Sequence, residues 1–352
     1  MRIAFPSRPT VAPRVFTRVL FACLVGLLTA CGAPSSTGPP STAAGTHPAG
    51  SASAADSKPV RLYTSVTQNT VDAVVAGFRG AHPGSRVDVF RAPTGQLNAR
   101  IAADLRSGGL RADVIWGTDP LSMEDYAAQR LLRTWPLTDV TVPAGMRTEY
   151  FAGTRVLYLV LAVHKGLADP PRSWADLTEP ALKGRVALPD PALAGSALAS
   201  LGYFAQQPGY GMDFFRRLKG NGAVQVGAVP QVVTDVAQGR YQVGLTLDSE
   251  VRAATAKGSP VTMVWPSPGA IALYSPIAAT TASTAGTTDD FLRYVLSSDG
   301  QRRIAATGWQ PVMPGIAGPP KPPGSAEVSP DWTLLFGKQR QLLAEYQAIY
   351  PR

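Results

Sequence analysis

The sequence predicts an α/β protein folded in two lobes, and three patterns in the chain lead to that expectation. Three successive strand-loop-helix units occupy residues 60–128, the arrangement that builds a mainly parallel sheet. A long apolar run, 156–163, has strand composition and marks a crossing out of that first set. Strand and helix signals then alternate again through 186–256, a second α/β set. About three hundred residues beyond the N-terminal leader and tether suffice for two cores of ordinary size.

The first unit begins with the apolar residues Val60, Leu62 and Tyr63, passes through the polar loop 64–69, and enters a helix. Val71, Val74, Val75 and Phe78 make its buried stripe at i, i+3, i+4 and i+7. Asn69 or Thr70 is the expected N-cap, and Gly80 with His82-Pro83-Gly84 ends the helix. Ser65, Thr67 and Gln68 therefore fall where a helix offers unpaired N–H groups to a polar ligand. An ordinary strand-to-helix connection with capping hydroxyls has the same spacing.

The second unit pairs the alternating strand 86–90 with a helix carrying Leu97, Ile101 and Leu105, joined by Ala92-Pro93-Thr94-Gly95. In the third, the buried strand 112–116 delivers the loop Gly117-Thr118-Asp119-Pro120 to a helix with Leu121 and Tyr126. Ligands of such sheets sit outside the carboxyl ends of the strands, so loops 64–69, 92–96 and 117–120 should share one edge.

Beyond the crossing, Ser173-Trp174-Ala175-Asp176 has the form of a capping box. The strand 186–188 leads through Pro189-Asp190-Pro191 to Gly195-Ser196 at the start of an Ala- and Leu-rich helix. A helix around Phe214, Phe215 and Leu218, a strand 224–226, a helix 231–238 and a strand 242–247 follow. The candidate cleft loops of this lobe are 190–196 and Asp248-Ser249-Glu250. The chain then returns through a strand 261–265, an extended pair of apolar segments in 270–280 and helices near Phe291 and Ile304. A Pro-rich loop 311–323 and a last helix 334–350 complete it, with no internal repeat.

The N-terminus sets the compartment. Arg2, Arg8, Arg14 and Arg18 precede an apolar run, 19–28, too short to span a bilayer comfortably, and then Thr29-Ala30-Cys31. This is a secretory signal, and Leu28-Thr29-Ala30-Cys31 resembles the bacterial lipobox, which implies cleavage before Cys31 and lipid on its sulfur. The expected organisation is a signal peptide 1–30, a tether 31–59, one lobe from 60–155 with 268–315, and another from 156–267 with 316–352. The tether is rich in Ser, Thr, Ala, Gly and Pro. The chain's two cysteines are Cys23 and Cys31, so cleavage leaves no disulfide. The formal charge of +9 includes the four leader arginines, and the remaining basic residues are scattered without aromatic interleaving. That pattern gives nucleic-acid binding no support.

The segments LYTSVTQNTVDAVVAGF (62–78), ADVIWGTDPLS (112–122), WADLTEPALKGRVALPDPALAGSA (174–197), VVTDVAQGRYQVGLTL (232–247), PSPGAIALYSPIA (266–278) and FLRYVLSSDGQRRIAATGWQPV (291–312) occur in this order. Together they resemble the ferric-iron type of ABC-transporter solute-binding lipoproteins. The resemblance covers 60–312 and implies a type II periplasmic-binding fold, two lobes joined by crossing hinge strands. It further implies a monomer without cofactor, tethered by lipid to the outer face of the cytoplasmic membrane or lying in the periplasm. Such a protein closes on a solute and presents it to a membrane permease with its ATPase.

The ligand set departs from that resemblance. Thr67 stands where the iron binders keep a histidine, Thr118 where they keep a glutamate, and Ser249-Glu250 where they keep two tyrosines. Ferric iron would then need hard oxygen donors from Asp119, Asp248 and Glu250. The alternative is an organic anion or zwitterion such as a phosphonate. Its acidic end would meet the helix starts at Ser65–Thr67, Gln68, Thr94–Gly95, Thr118 and Gly195–Ser196, and its cationic end Asp248 and Glu250. Acids also favour a helix start with no ligand at all. Enzymes occur on this fold, one of them thiamine-cleaving through a cysteine. Here the mature chain keeps no cysteine but Cys31, and G-x-S-x-G, Walker A and H-E-x-x-H motifs are missing. A non-enzymatic role is expected, transport first and a sensory or partner-binding lipoprotein second.

Overall fold

The computed structural model describes residues 58–284 and 286–351. The expected signal peptide, Cys31 and the expected tether up to Ser57 lie outside the described residues. Strand β1 (Val60–Thr64) leads to helix α1 (Gln68–Ala81), β2 (Val87–Arg91) to α2 (Thr94–Arg106), and β3 (Val114–Trp116) to α3 (Pro120–Ala128). β1 pairs in parallel with both β2 and β3, as three βα units require. Alternation along these strands feeds two cores: Leu62, Val114 and Trp116 enter one cluster, Tyr63 and Ile115 the other. Both faces are covered, which is why the strands read as nearly continuous apolar runs.

The α1 stripe is buried as its spacing predicts, with Phe78 edge-on to Phe291 at 5.1 Å. Its cap differs: the N-cap is Thr67, two to three residues earlier than expected, with no side-chain cap bond. On α2, Leu97 and Ile101 are buried but Leu105 lies at the exposed end of the helix.

The crossing is a thirteen-residue strand, β4 (Ala152–His164), buried along all but its last residue. The second set follows: β5 (Val186–Pro189), α4 (Gly195–Gln206), α5 (Gly211–Gly220), β6 (Val224–Val226), α6 (Val229–Ala237), β7 (Val243–Leu247), α7 (Asp248–Ala256) and β8 (Val261–Val264). The chain returns along β9 (Ala270–Ala279), one continuous strand rather than a pair of segments. Then come α8 (Thr287–Val295), α9 (Ser298–Ala306), β10 (Gln310–Pro311) and β11 (Glu327–Val328). The predicted last helix is two, α10 (Trp332–Leu335) and α11 (Gln339–Ile349), because the chain turns through Gly337 at φ 78°.

All these strands join one mixed sheet in the order β2-β1-β3-β9-β4-β7-β5-β6, with β8 and β10 on β4 and β11 on β9. β9 and β4 are antiparallel to each other and to their outer neighbours, and they link the two parallel sets. The carboxyl ends of β1, β2 and β3 therefore face those of β5, β6 and β7 across the two long strands. Ser173 and Asp176 exchange the bonds of the predicted capping box, on a short 3-10 turn.

Candidate functional site

Helices α1, α2, α4 and α6 share one feature: none has a side chain capping its N-terminus. Helix α3 does, through Asp119 Oδ1, which accepts from the Ser122 amide at 2.7 Å. The four uncapped ends converge on a cavity of about 220 Å³ between the two strand sets. Aligned peptide dipoles give each end a partial positive charge on the order of half a unit, so the cavity favours anionic groups.

From the first set, Ser65, Thr67, Thr94 and Thr118 line this cavity. Their hydroxyls form a chain, Ser65 Oγ to Thr118 Oγ1 at 3.2 Å and Thr94 Oγ1 to Thr118 Oγ1 at 3.2 Å. From the second set come Gly195, Ser196, Gly227, Ala228 and Glu250, with Leu157, Leu193, Val229 and Leu247 as an apolar wall. The halves touch directly: the Gly95 amide donates to the Leu193 carbonyl, and the Gly195 amide to Thr94 Oγ1, each at 3.2 Å.

Five of the expected ligand residues do not line the cavity. Gln68 points to solvent and donates to Asp72 Oδ1, the i,i+4 partner on its own helix. Gly95 instead packs against the backbone of Ala192 and Leu193, where a methyl would fall 2.8 Å from the Ala192 carbonyl oxygen. Asp119 turns inward as the α3 cap and abuts Gly195. Asp248 is buried in an ion pair with Arg252, which in turn donates to the Gly308 carbonyl. The Ser249 hydroxyl is buried away from the cavity. Of the three carboxylates considered for iron, then, Glu250 alone reaches the cavity. Among the described residues no cluster of three or more His, Cys, Asp or Glu side chains is placed to hold a metal ion.

Burial acts on each acid. It pushes Asp119 up to about 6 against the Ser122 hydrogen bonds, and raises Asp248 against the pull of Arg252. It also raises Glu250, opposed by Lys257 and Arg91.

The residue that sequence reasoning missed is Arg155. It lies on β4, fully buried, and lines the cavity. Its Nε, Nη1 and Nη2 atoms have no hydrogen-bond partner, and no ion pair involves it among the described residues. The guanidinium stacks over Trp309, 4.0 Å from the ring centroid. Burial lowers its pKa to about 9, still above neutrality, so a desolvated cation faces the cavity. Leaving such a charge uncompensated costs on the order of several kcal/mol, a strong reason to expect an anion there.

A β-bulge aims it. Gly153 pairs with Pro276 and Arg155 with Ser275, so Thr154 is an extra residue that changes which side chains face the cleft. Thr154 Oγ1 accepts from Trp116 Nε1 and donates to the Ser275 carbonyl, each at 2.8 Å. Gln301, itself fully buried, donates to the Thr154 carbonyl at 2.9 Å. The signal was legible as a charged residue directly preceding an apolar strand. The helix expected at 231–238 starts two residues earlier, because Pro230 reads as a loop residue yet occupies the helix's first turn, and its start was not among the expected cleft loops.

The family model for bacterial extracellular solute-binding proteins matches residues 60–310, and the chain belongs to that family. Solved structures similar in fold include AfuA from Actinobacillus pleuropneumoniae with fructose-6-phosphate bound, at TM-score 0.73 and 19% identity over 84% of this chain and 99% of that one. The ferric binding protein of Campylobacter jejuni has TM-score 0.73 at 14% identity, covering 82% and 99%. Iron-bound HitA from Pseudomonas aeruginosa has TM-score 0.68 at 20% identity, covering 83% and 99%. The fold is accordingly the two-lobed type II periplasmic-binding fold, with β4 and β9 as its crossing strands. A 108-residue stretch is 32% identical to an uncharacterized protein of Haemophilus influenzae, and spans 31% of that protein's length.

Proposed function

We infer that this protein is the solute-binding lipoprotein of an ABC importer, capturing a small organic anion or zwitterion between its lobes and delivering it to a permease. The observation that carries the reading is the cavity at the meeting of four uncapped helix ends, with serine and threonine hydroxyls on one wall and apolar side chains on another. About 220 Å³ suits a molecule of modest size rather than a macromolecule. The assigned lobes are 60–155 with 268–315, and 156–267 with 316–352. Lipid on Cys31 holds the protein outside the cytoplasmic membrane. No helix among the described residues is long and apolar enough to cross a membrane.

Capture works by closure. Solute shifts the open-closed balance only by its extra affinity for the closed form, and hydroxyls and amides from both lobes supply that difference. Proteins of similar fold include iron-bound HitA, a Trichodesmium protein in complex with iron and citrate, and AfuA with fructose-6-phosphate bound. The organic reading is preferred because Asp119 and Asp248 are committed elsewhere, leaving a donor set poor in the hard anionic oxygens iron requires. Native mass spectrometry with metal analysis of the protein as purified tests it, followed by small-angle scattering with and without the identified solute. A metal-free organic solute that compacts the protein is the expected result. Stoichiometric iron without an organic ligand would overturn it.

A further inference from the structure

The geometry points to a phosphoryl or phosphonyl dianion as the group the cleft recognises, anchored by Arg155 and shared by phosphate monoesters and phosphonates. This rests on the solute-binding reading above and names the chemical class of the ligand. Three observations carry it together. Arg155 is fully buried and lines the cavity with every guanidinium nitrogen unpartnered. The bulge that aims it is held by three buried hydrogen bonds of Thr154, accepted from Trp116 and Gln301 and donated to the Ser275 carbonyl, so the aim is built into the frame. Four uncapped helix ends and the hydroxyls of Ser65, Thr94 and Thr118 bring further donors to the same cavity.

The donor supply separates the candidate anions. A guanidinium alone offers five N–H groups in a planar fork, which two carboxylate oxygens occupy on one edge. Hydroxyls and helix ends on the other walls then need a further oxygen, and a tetrahedral group with three acceptor oxygens provides it. Charge points the same way: Arg155, with Arg91 at the cavity rim and the helix ends, outweighs the single carboxylate of Glu250. No ion pair joins Arg155 to Glu250, which leaves Glu250 free to meet a cationic substituent while Leu157, Val229 and Leu247 flank the body.

Calorimetric titration of the purified protein with methylphosphonate, inorganic phosphate and acetate tests the head group, read also through Trp fluorescence because Trp309 stacks on the anchor. Methylphosphonate or phosphate should bind at least tenfold more tightly than acetate. Arg155→Met should weaken that binding a hundredfold or more and Arg155→Lys by less, both keeping the circular dichroism of the parent, with ligand-free Arg155→Met melting no lower than the parent because it removes an uncompensated buried charge. Glycerol 3-phosphate and 2-aminoethylphosphonate as further arms distinguish an ester from a phosphonate source. Should Arg155→Met prove unfolded, Arg155→Lys and the wild-type ranking decide the matter. Acetate binding as well as phosphate, or Arg155 variants binding phosphate normally, would overturn the inference. If a neutral or carboxylate solute compacts both the parent and Arg155→Met, solute capture stands and the phosphoryl assignment falls. If no solute of any class compacts the protein, both fall.

Discussion

Arg155 and Asp119 are opposite cases of a buried charge. Arg155 has no partner and faces a cavity, whereas Asp119 accepts from an amide through Oδ1 and sets its unpartnered Oδ2 against the Gly195 backbone. The folded-state pKa of Asp119, about 6, lies above its ordinary value of 3.8, so the folded protein holds this proton more tightly. Its contribution to stability is complete below pH 3.8 and is lost as the pH rises through about 6. Asp119→Asn keeps a capping side chain and removes the charge. Relative to the parent it should gain on the order of 2–3 kcal/mol between pH 4 and pH 7, measured by urea unfolding across that range. A constant difference between the two proteins over the range would disprove the assignment. At Gly195 a methyl would lie 2.2 Å from Asp119 Oδ2 and 2.7 Å from Thr118 Oγ1. Gly195→Ala should therefore hold the lobes apart: a larger radius of gyration in scattering and at least tenfold weaker solute binding, with a near-parental melting temperature.

At the scale of elements, the bulge in β4 does most to position chemistry. Thr154 is fully buried and satisfies both the Trp116 indole N–H and the Ser275 carbonyl. Thr154→Val is close in volume but strands both groups, at a cost of about 1–3 kcal/mol for each buried polar group left unmade. Lower stability with weakened anion binding is the expected pair of outcomes. Stability lost without any change in binding would show that the bulge does not aim Arg155. The helix starts were legible in part. α1, α2 and α4 announced themselves through apolar spacing and the polar loops before them, while α6, expected at 231–238, begins two residues earlier with Val229-Pro230 in its first turn. Helix caps are decided by one or two dihedral angles, which side-chain spacing does not report.

For the whole molecule, the strand order suits the proposed capture by closure. β9 pairs with β3 of the first parallel set, β4 with β7 of the second, and the two with each other, so this pair can bend as a hinge while each set moves as a body. Binding of the proposed solute should reduce the radius of gyration and raise the melting temperature by an amount that grows with solute concentration. Cys31→Ser tests the anchor separately: the variant should leave the membrane fraction while its solute affinity stays unchanged.

By itself, the sequence determined the α/β alternation, the crossing run and the family, because these rest on periodicity and composition that survive without any knowledge of contacts. It also placed Ser65, Thr67, Thr94, Thr118, Gly195, Ser196 and Glu250 in loops at the strand ends, and the fold brings them to one cavity, since strand ends on one edge of a parallel sheet must lie together. Only the tertiary structure decided which loop residues reach the cavity. Asp119 and Asp248 follow favourable helix-start chemistry yet spend it on their own helices, and Arg155 gained its place from a register shift between strands more than a hundred residues apart in the chain. A one-residue bulge leaves no trace in hydrophobic pattern, and whether a buried charge finds a partner depends on what the other lobe brings to it.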